Sequence, residues 1–381
     1  MGLMDRSRRG VPPAKKGCGR VLLIYRRMIP SIRLCGHCQL EHLAGRGRLE
    51  YRAVQEMKLK AADLNWADTV LLGRLDNWYE YQLVKRLRAA GKYLIYVLDD
   101  DLLNIPAEIS SAAYYGRPEI QKYIREMMRL SDAILSPSPL LLKKYAVEGR
   151  RAIQIEEPAI DPVEYRPHDP KAPVKIGFAG SIDRTGDLER LLGEALIRIK
   201  RAYGDRVAFE FFGAIPSFAD QIGAKCIPYC DSYDEYRRTL NERGWDIGLA
   251  PMPDTPFHAC KHYNKFVEYA AAGIVGVYSK VEPYTRLKDT DILVFAEEED
   301  WYSTVERLLK DRTAIEFVRQ KSVSFVQTRM NVSEVSNELW KQLQPIRLYQ
   351  EQSRVAPPGA FIRIQGLVKR ICNKTSILLM K

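Results

Sequence analysis

The chain has 381 residues, of which 46% are hydrophobic and 28% are charged, and at about 150 residues per domain this length predicts two or three domains. The composition excludes an intrinsically disordered, collagen-like or disulfide-framework chain, and because no run of about 18 uncharged apolar residues occurs, we expect no transmembrane helix. The net charge of +11 suggests an anionic partner, which would be nucleic acid or an anionic membrane surface. The alternative is that the charge belongs to solvated tails without a partner.

Most of the excess positive charge lies at the two ends of the chain. Residues 1–52 contain 12 lysines and arginines and three acidic residues. Residues 353–381 contain six lysines and arginines and no acidic residue. We expect residues 1–17 to form a basic tail. The first apolar run, 21–25, is too short for a secretory signal, and an odd number of cysteines, seven, fits a reducing compartment. The sequence therefore predicts a cytoplasmic protein.

A group of potential metal ligands lies near the start of the chain. Cys18, Cys35, Cys38 and His42 supply three thiols and an imidazole, which are donors that zinc prefers. No second pair of such ligands occurs elsewhere in the sequence, and the group follows a predicted strand, where a loop is expected. A metal site and ordinary loop cysteines both remain open, and we assign no metal.

Strand and helix patterns alternate through the first half of the chain. Short apolar runs predict buried strands, and apolar residues three and four positions apart predict amphipathic helices such as 79–90. Such alternation is typical of βαβ units and a parallel sheet. We therefore expect residues 18–160 to form a Rossmann-like domain. The predicted strands are 21–25, 69–72, 93–98 and 133–135.

A proline-rich segment precedes a second alternating half. Five prolines fall between residues 157 and 175, and proline can neither continue a helix nor occupy a central strand. We place an interdomain linker at 161–173 and a second Rossmann-like domain at 174–330. Its predicted strands are 174–179, 207–212, 246–250, 274–278 and 292–295, and its predicted helices are 187–203, 233–243, 261–272, 300–310 and 312–328.

The predicted architecture is α/β, with two doubly wound domains and a ligand-binding cleft between the carboxyl ends of their sheets. We expect residues 331–352 to contain a helix that crosses back to the first domain. Residues 353–381 mix apolar and basic residues, which predicts an amphipathic tail suited to an anionic membrane surface.

A glycine-containing loop follows the first strand of the second domain. Gly180 and Ser181 end the predicted strand, and Arg184 precedes the predicted helix. Loop amides and a helix N-terminus favour an anion, and the arginine adds a full positive charge. The alternative is a tight turn with a solvated arginine. The spacing is not that of a dinucleotide-binding fingerprint.

A cluster of charged residues lies in the segment 257–273. On the predicted helix, Lys261, Lys265 and Glu268 fall at i, i+4 and i+7 and therefore share one face. Two ammonium groups suit a diphosphate, and a carboxylate further along suits the diol of a ribose. The alternative is a surface ion pair between Lys265 and Glu268.

These motifs together resemble the donor domain of GT-B glycosyltransferases, most closely the broad glycosyltransferase family 4, or group 1-like, enzymes. The resemblance extends over about residues 20–345 and is specific over 174–285. It rests on the strand with its Gly-Ser loop, on Asp-Ile-Gly-Leu-Ala-Pro (246–251) and on Lys-x-x-Asn-Lys-x-x-Glu-Tyr-x-Ala-x-Gly (261–273). It implies a GT-B fold, with an N-terminal acceptor domain and a C-terminal domain that binds a nucleotide-sugar donor.

The resemblance also implies roles for residues of the donor domain. Arg184 and Lys261 match the basic residues that hold the donor diphosphate, and Lys265 is a second candidate for that role. Glu268 matches the glutamate that binds the nucleotide ribose, and the base is expected near Tyr229. The predicted donor-binding residues are Gly180, Ser181, Arg184, Tyr229, Lys261, Asn264, Lys265 and Glu268.

The sequence departs from the family pattern eight positions before Glu268. The family commonly has a glutamate there that contacts the donor sugar, and this chain has Cys260. Either His258 reaches the sugar instead, or it lines the loop. Because this contact is missing, the motif alone does not establish the retaining stereochemistry that is typical of the family.

Three acidic residues, Asp99, Asp100 and Asp101, end a predicted strand of the first domain. At the acceptor side of the cleft, Asp100 or Asp99 would orient an acceptor hydroxyl, and the alternative is helix capping. Asp99 and Asp101 also match the Asp-x-Asp pattern with which GT-A enzymes hold a metal-bound diphosphate. The second sheet domain, with its own phosphate-type loop, argues against that fold.

The sequence therefore predicts a glycosyltransferase that moves a sugar from a nucleotide-diphosphate-sugar to an acceptor hydroxyl, in cell-envelope polysaccharide or glycan biosynthesis. The predicted catalytic residues are Arg184 and Lys261, which would stabilise the leaving diphosphate without a metal or cofactor, and Asp100. The resemblance implies retention. The alternatives are a metal-dependent GT-A-like transferase using Asp99 and Asp101, and a catalytically inactive GT-B binding protein.

The expected partners follow from this prediction. They are the nucleotide-sugar, an acceptor that is a glycan, a lipid-linked molecule or a protein, and an anionic membrane surface at the inner face of the membrane. No zinc-finger spacing and no basic face with interleaved aromatic residues occurs, so we expect no nucleic acid.

Overall fold

The computed structural model describes residues 19–147, 149–164, 169, 171–287, 290–344, 354–359 and 365. The predicted tail 1–17 and most of the predicted tail 353–381 lie outside the described residues, as does Cys18. Among the helices that are described, none combines the length and the apolar character needed to cross a membrane.

Within the described residues, the strands form two six-stranded parallel sheets flanked by helices. The first sheet contains β1 (Arg20–Tyr25), β2 (Glu50–Gln55), β3 (Thr69–Gly73), β4 (Tyr93–Val97), β5 (Ala133–Ser136) and β6 (Arg151–Gln154), in the order β2-β1-β3-β4-β5-β6. The second contains β7 (Val174–Gly180), β8 (Val207–Gly213), β9 (Lys225–Ile227), β10 (Ile247–Ala250), β11 (Val275–Ser279) and β12 (Val294–Ala296), in the order β12-β11-β10-β7-β8-β9. The predicted two-domain, Rossmann-like α/β fold is confirmed.

Helices cover the faces of both sheets. Those of the first half are α1 (Pro30–Ile32), α2 (Cys38–Gly45), α3 (Ala61–Trp66), α4 (Trp78–Ala89), α5 (Ala112–Tyr115), α6 (Pro118–Leu130) and α7 (Pro139–Tyr145). Those that follow are α8 (Thr185–Tyr203), α9 (Tyr233–Arg243), α10 (Pro256–Ala259), α11 (Asn264–Ala271), α12 (Trp301–Lys310), α13 (Arg312–Arg329) and α14 (Val332–Leu343).

The central strands are apolar because helices bury both of their faces. Successive side chains of a strand point to opposite faces, and in β1 Leu22 lies in an apolar cluster with Leu83 of α4. Its neighbour Leu23 lies in a separate cluster with Leu40 of α2. A strand that is buried on both faces reads as a continuous apolar run, which is why the sequence revealed it.

Three strands were absent from the sequence prediction, and all three lie at sheet edges. They are β2, β6 and β9, each with partly exposed side chains. An edge strand has one neighbour and more solvent contact, so it tolerates polar residues and loses the apolar signal. The edge strand β9, for example, is only Lys225–Ile227.

The carboxyl ends of the two sheets face each other across a cleft. The loop after β4 and the segment between α10 and α11 are joined by an ion pair of 2.8 Å between Asp100 and Lys261. Near it, the Ser110 hydroxyl donates to the Asp183 carboxylate over 3.2 Å. At the other end of the chain, α14 packs on the first half, where Leu339 joins the cluster that contains Leu40.

Gly177 in β7 allows Trp245 to pack directly against the second sheet. A Cβ at this position would lie 2.1 Å from the indole ring, which is fully buried and donates through Nε1 to Glu210 over 2.8 Å. We therefore expect Gly177→Ala to lower the free energy of unfolding by about 1–3 kcal/mol, the usual cost of overpacking a core.

Urea denaturation measures this change, and Gly186→Ala is its matched control. A Cβ on Gly186, in the first turn of α8, would meet no heavy atom within 4 Å, and alanine favours a helix over glycine. The control should be as stable as the unaltered chain or more so. Equal stability of the two variants would contradict the packing argument.

Candidate active site

The carboxyl ends of β7 and β8 form an open surface in the second half. A Cβ on Gly213, whose φ is +89°, would lie 2.1 Å from the carbonyl oxygen of Gly180 and 3.5 Å from Tyr229 Cδ2. The ends of β7 and β8 can therefore lie this close only because position 213 is a glycine. Tyr229, which is 60% exposed, and the exposed Ser181 border this surface. The predicted loop and base-binding residues thus lie side by side.

Arg184 lies where the turn after β7 leads into α8. Its guanidinium donates to the carbonyl oxygen of Pro251 over 2.5 Å and forms an ion pair of 3.2 Å with Asp187. The arginine therefore connects the carboxyl end of β7 with that of β10, at the predicted anion site, and is not the solvated arginine of a simple turn.

The predicted helix 261–272 is wrong over its first three residues. The helix α11 begins at Asn264, because Tyr263 before it has a non-helical ψ of 45°. Lys265 and Glu268 share a face of α11, whereas Lys261 lies outside the helix. The three charged side chains therefore do not form the single row that their spacing predicted.

Lys265 and Glu268 form an ion pair that is mostly buried. The Lys265 ammonium lies 2.5 Å from Glu268 Oε2, and the side chains are 23% and 13% exposed. Tyr236 of α9 donates to the same carboxylate oxygen over 2.9 Å and accepts from Lys265 over 2.9 Å. Burial and the charge of Glu268 raise the pKa of Tyr236 well above its usual value, so its hydroxyl stays a donor. The ion pair considered from the sequence is therefore present, but it is largely buried and does not lie on the surface.

Lys261 crosses the cleft instead of lying on α11. Its ammonium contacts Asp100 Oδ1 at 2.8 Å, with about a quarter of each side chain exposed, and lies 4.7 Å from the ring centroid of Phe257. Arg286 fixes the backbone beneath it by donating to the carbonyl oxygens of Lys261 and Ala259. The basic residue predicted to hold a phosphate is thus shared between the two halves of the molecule.

The three acidic residues after β4 have separate partners. Asp99 accepts from Arg74 over 2.8 Å, and Asp100 contacts Lys261. Asp101 accepts from Lys144 over 2.7 Å and lies 2.5 Å from the hydroxyl of Tyr145. None of the hydrogen bonds described for Asp99 and Asp100 is a helix cap, and Asp99 and Asp101 are each engaged by a different cation, so the structure gives no support to an Asp-x-Asp metal site.

Cys260 packs against the first half of the molecule. It is 7% exposed and belongs to an apolar cluster of the first half that also contains Leu98 and Leu102. The sugar-contacting glutamate of the family pattern is thus replaced by a side chain that packs between the halves. His258 is buried in the short helix α10, and its Nδ1 lies 2.8 Å from the Thr255 hydroxyl, which fixes the ring near Lys261.

The connection between the two halves contains two adjacent carboxylates, of which Glu157 is buried and Glu156 is about one-third exposed. Glu156 accepts from Tyr263 over 2.6 Å and lies 3.1 Å from His262 Nε2. Glu157 accepts from the Cys35 thiol over 2.9 Å, and burial raises the pKa of its carboxyl to about 7. These contacts fasten the connection to both halves close to the start of α11.

The potential metal ligands near the start of the chain do not converge in the described residues. Burial raises the pKa of Cys35 well above its usual value, and its thiol is engaged with Glu157. Burial also raises the pKa of Cys38. Among the residues that the structure describes, no three histidine, cysteine or acidic side chains are grouped to hold a metal ion.

Several residues of the site carry no sequence signal that could have revealed them. Arg74, Arg286 and Tyr236 each belong to an element distant in sequence from the site residue that they contact. Glu157 follows the last strand of the first sheet, and only the fold brings it to Cys35. Charge spacing within one helix could reveal Lys265 and Glu268, but not these partners.

Comparison with known proteins identifies the fold. No protein family model and no curated protein sequence matches the chain. HepE from Anabaena, solved in complex with UDP and glucose, superposes with a TM-score of 0.58 at 11% identity, over 86% of this chain and 99% of HepE. An alpha-glucosyltransferase, solved with UDP and a 13-mer DNA, gives a TM-score of 0.57 at 14% identity, over 85% and 99% of the two chains.

An enzyme with a different described activity shares the same architecture. A putative UDP-N-acetylglucosamine 2-epimerase from Listeria monocytogenes superposes with a TM-score of 0.53 at 12% identity, over 90% of this chain and all of its own. At such identities the likeness concerns the fold. The chain therefore has the GT-B fold that UDP-binding glycosyltransferases share, as its motifs predicted.

The ring of His258 is expected to stay neutral in the folded protein at pH 6. Burial, and then the charges of Arg184 and Lys261, lower its pKa to about 4. Titration of the ring carbon resonances by NMR measures this value, and a midpoint near 6.5, the ordinary histidine value, would contradict the described environment.

The same shift has a consequence for stability. Because the unfolded chain binds this proton below about pH 6.5 and the folded chain only near 4, the folded state loses stability as the pH falls between these values. His258→Gln should reduce that loss in urea titrations at pH 7 and pH 5.

Proposed function

We propose that the protein is a glycosyltransferase that moves a sugar from a nucleotide-diphosphate-sugar to an acceptor hydroxyl. One observation carries the proposal. Three basic residues of the second half, Arg184, Lys261 and Lys265, follow the carboxyl ends of β7 and β10, and Lys261 contacts Asp100, which follows β4 of the first sheet.

The donor site follows from these positions. The diphosphate lies between Arg184 and Lys261, where the loop amides after Gly180 add further donors. The ribose hydroxyls donate to Glu268, which Tyr236 and Lys265 hold in place. The base lies beside Tyr229, whose exposed ring offers a stacking surface. Ser181 and Asn264 border the phosphate and ribose positions.

The proposed chemistry depends on stabilising a leaving group. The diphosphate gains negative charge as the bond from the sugar to the phosphate breaks, and Arg184 and Lys261 are positioned to neutralise that charge. We propose that these two side chains suffice without a metal or cofactor. Closure of the halves around the donor excludes water and so favours transfer over hydrolysis.

The proposed stereochemical outcome is retention. Burial opposes ionisation of Asp100, but the charges of Lys261 and Arg74 outweigh it and hold the pKa of Asp100 below its usual value. A carboxylate whose pKa is held down by a neighbouring arginine is a weak base, which favours a route in which the leaving phosphate takes the acceptor proton. If the product were inverted, Asp100 would be the candidate base.

We further propose a place for the reaction. The basic ends of the chain suit peripheral docking on the inner face of an anionic membrane, and a lipid-linked or polymeric acceptor of cell-envelope polysaccharide synthesis fits that location. This placement concerns the acceptor and is independent of the donor site.

Incubation with a panel of nucleotide-sugars tests the proposal. We expect one donor to raise the melting temperature and to release its nucleoside diphosphate, unaffected by EDTA. Loss of activity with EDTA would support a metal-dependent transferase, and binding without release in the presence of acceptor extracts would support an inactive binding protein. Conversion of the donor sugar to its epimer, without transfer, would support an epimerase.

Substitution of the proposed donor ligands gives a sharper result. Lys261→Ala and Glu268→Ala should each weaken UDP binding about tenfold to a hundredfold, because each removes a hydrogen bond to a charged group worth roughly 1.5–3 kcal/mol. Calorimetric titration with UDP measures the change.

Lys280→Ala is the matched control. Like Lys261→Ala, it removes a lysine that is paired with a carboxylate, here Glu297 at 2.7 Å, but this pair is about half exposed. UDP affinity should be unchanged in this variant. Undiminished binding in Lys261→Ala and Glu268→Ala would refute the assigned site.

A further inference from the structure

Asp100 lies between two cations that belong to different halves of the molecule. One carboxylate oxygen contacts Lys261 of the second half at 2.8 Å, and the other lies 3.8 Å from Arg74 of the first half. The lysine is on a long, flexible side chain with about a quarter of its surface exposed. The arginine is 17% exposed. Lys261 is therefore the partner that can exchange, and Arg74 is the partner that stays in place.

The backbone and contacts of Arg74 explain why it is fixed. Its φ is +53°, a left-handed conformation that non-glycine residues adopt at an energetic cost and that persists where the surroundings enforce it. Its guanidinium donates to Asp99 over 2.8 Å and lies 5.7 Å from the ring centroid of Tyr115.

Asp99 beside it is itself deeply buried. It is 7% exposed, and its Oδ1 has no hydrogen-bond partner among the described residues. Asp99 and Asp100 repel each other, and a buried carboxylate is costly to keep charged without a counter-ion. A cation that stays beside both carboxylates offsets these two costs. Arg74 is the cation that satisfies this requirement within the first half.

We infer that Asp100 holds Lys261 until a donor diphosphate displaces it, and that Arg74 is the positioning residue that keeps Asp100 in the cleft after the exchange. The inference rests on the proposed function, since it takes Lys261 as a diphosphate ligand. Donor binding and the release of Asp100 towards the acceptor are then one event, which makes the donor the first substrate to bind.

The charges decide the direction of the exchange. A nucleoside diphosphate carries more negative charge than one carboxylate and is also attracted by Arg184, so it competes successfully for Lys261. Asp100 keeps Arg74 as its counter-ion and therefore stays ionised at the cleft. With one cation fewer beside it, the carboxylate becomes a better hydrogen-bond acceptor for the acceptor hydroxyl.

A double-mutant cycle with UDP as the probe tests the exchange. Asp100→Asn removes the competitor for Lys261, so we expect UDP to bind about threefold to tenfold more tightly, as the strength of a partly exposed ion pair implies. In the Lys261→Ala background the same substitution should leave UDP affinity unchanged. Asp101→Asn is the matched control. It removes the same negative charge at the next residue, whose carboxylate contacts Lys144 and not Lys261.

A second cycle isolates the role of Arg74. Without Arg74, Asp100 retains Lys261 as its counter-ion and should hold it more firmly, so Arg74→Ala is expected to weaken UDP binding about threefold to tenfold, with partial recovery in Arg74→Lys. In the Asp100→Asn background the effect should vanish. An arginine that touched the diphosphate directly, or merely supported the fold, would weaken binding in both backgrounds.

The outcomes separate this inference from the proposed function. If UDP, GDP, ADP and inorganic pyrophosphate all fail to bind the unaltered protein, the proposed function and the inference fall together. If one binds but Asp100→Asn does not tighten it, or Asp101→Asn tightens it equally, the exchange is overturned and the donor site stands. If Arg74→Ala does not fold, the first cycle still tests the exchange, and Arg74→Lys still tests the role of Arg74.

Discussion

The ion pair between Lys261 and Asp100 is the contact on which the arrangement of the site depends. It joins the carboxyl ends of the two sheets through one cation, and about three quarters of each side chain is buried. Removing one partner from such a pair leaves a partly desolvated charge without its counter-ion. In the proposed exchange an entering diphosphate replaces this carboxylate, which would tie ligand binding to the contact between the halves.

The sequence carried enough information for the fold class because burial imposes a continuous apolar pattern on central strands. The predicted runs 21–25 and 69–72 became β1 and β3, which are covered by helices on both faces. At the edges this constraint is absent, so β2 and β9 escaped detection. The GT-B fold came from the motifs in 174–285, and the solved structures confirm it.

Helical spacing predicted contacts only between residues that lie on one element. Lys265 and Glu268 are three positions apart on α11, so helical spacing placed them together. The position of Lys261 was not predictable, because Arg286 and the break before Asn264 direct the backbone towards the first half. No motif marks Arg74, whose backbone conformation and partners are properties of the folded chain. Long-range ion pairs thus decide the geometry that local patterns leave open.

A crystal structure of the protein with UDP tests the central claim most directly, since it shows which groups hold the diphosphate and the ribose. The account predicts phosphate oxygens within hydrogen-bond distance of Arg184 and Lys261, ribose hydroxyls on Glu268, and Lys261 separated from Asp100. UDP bound away from these side chains, or UDP bound among them with Lys261 still paired to Asp100 and remote from the phosphates, would contradict it.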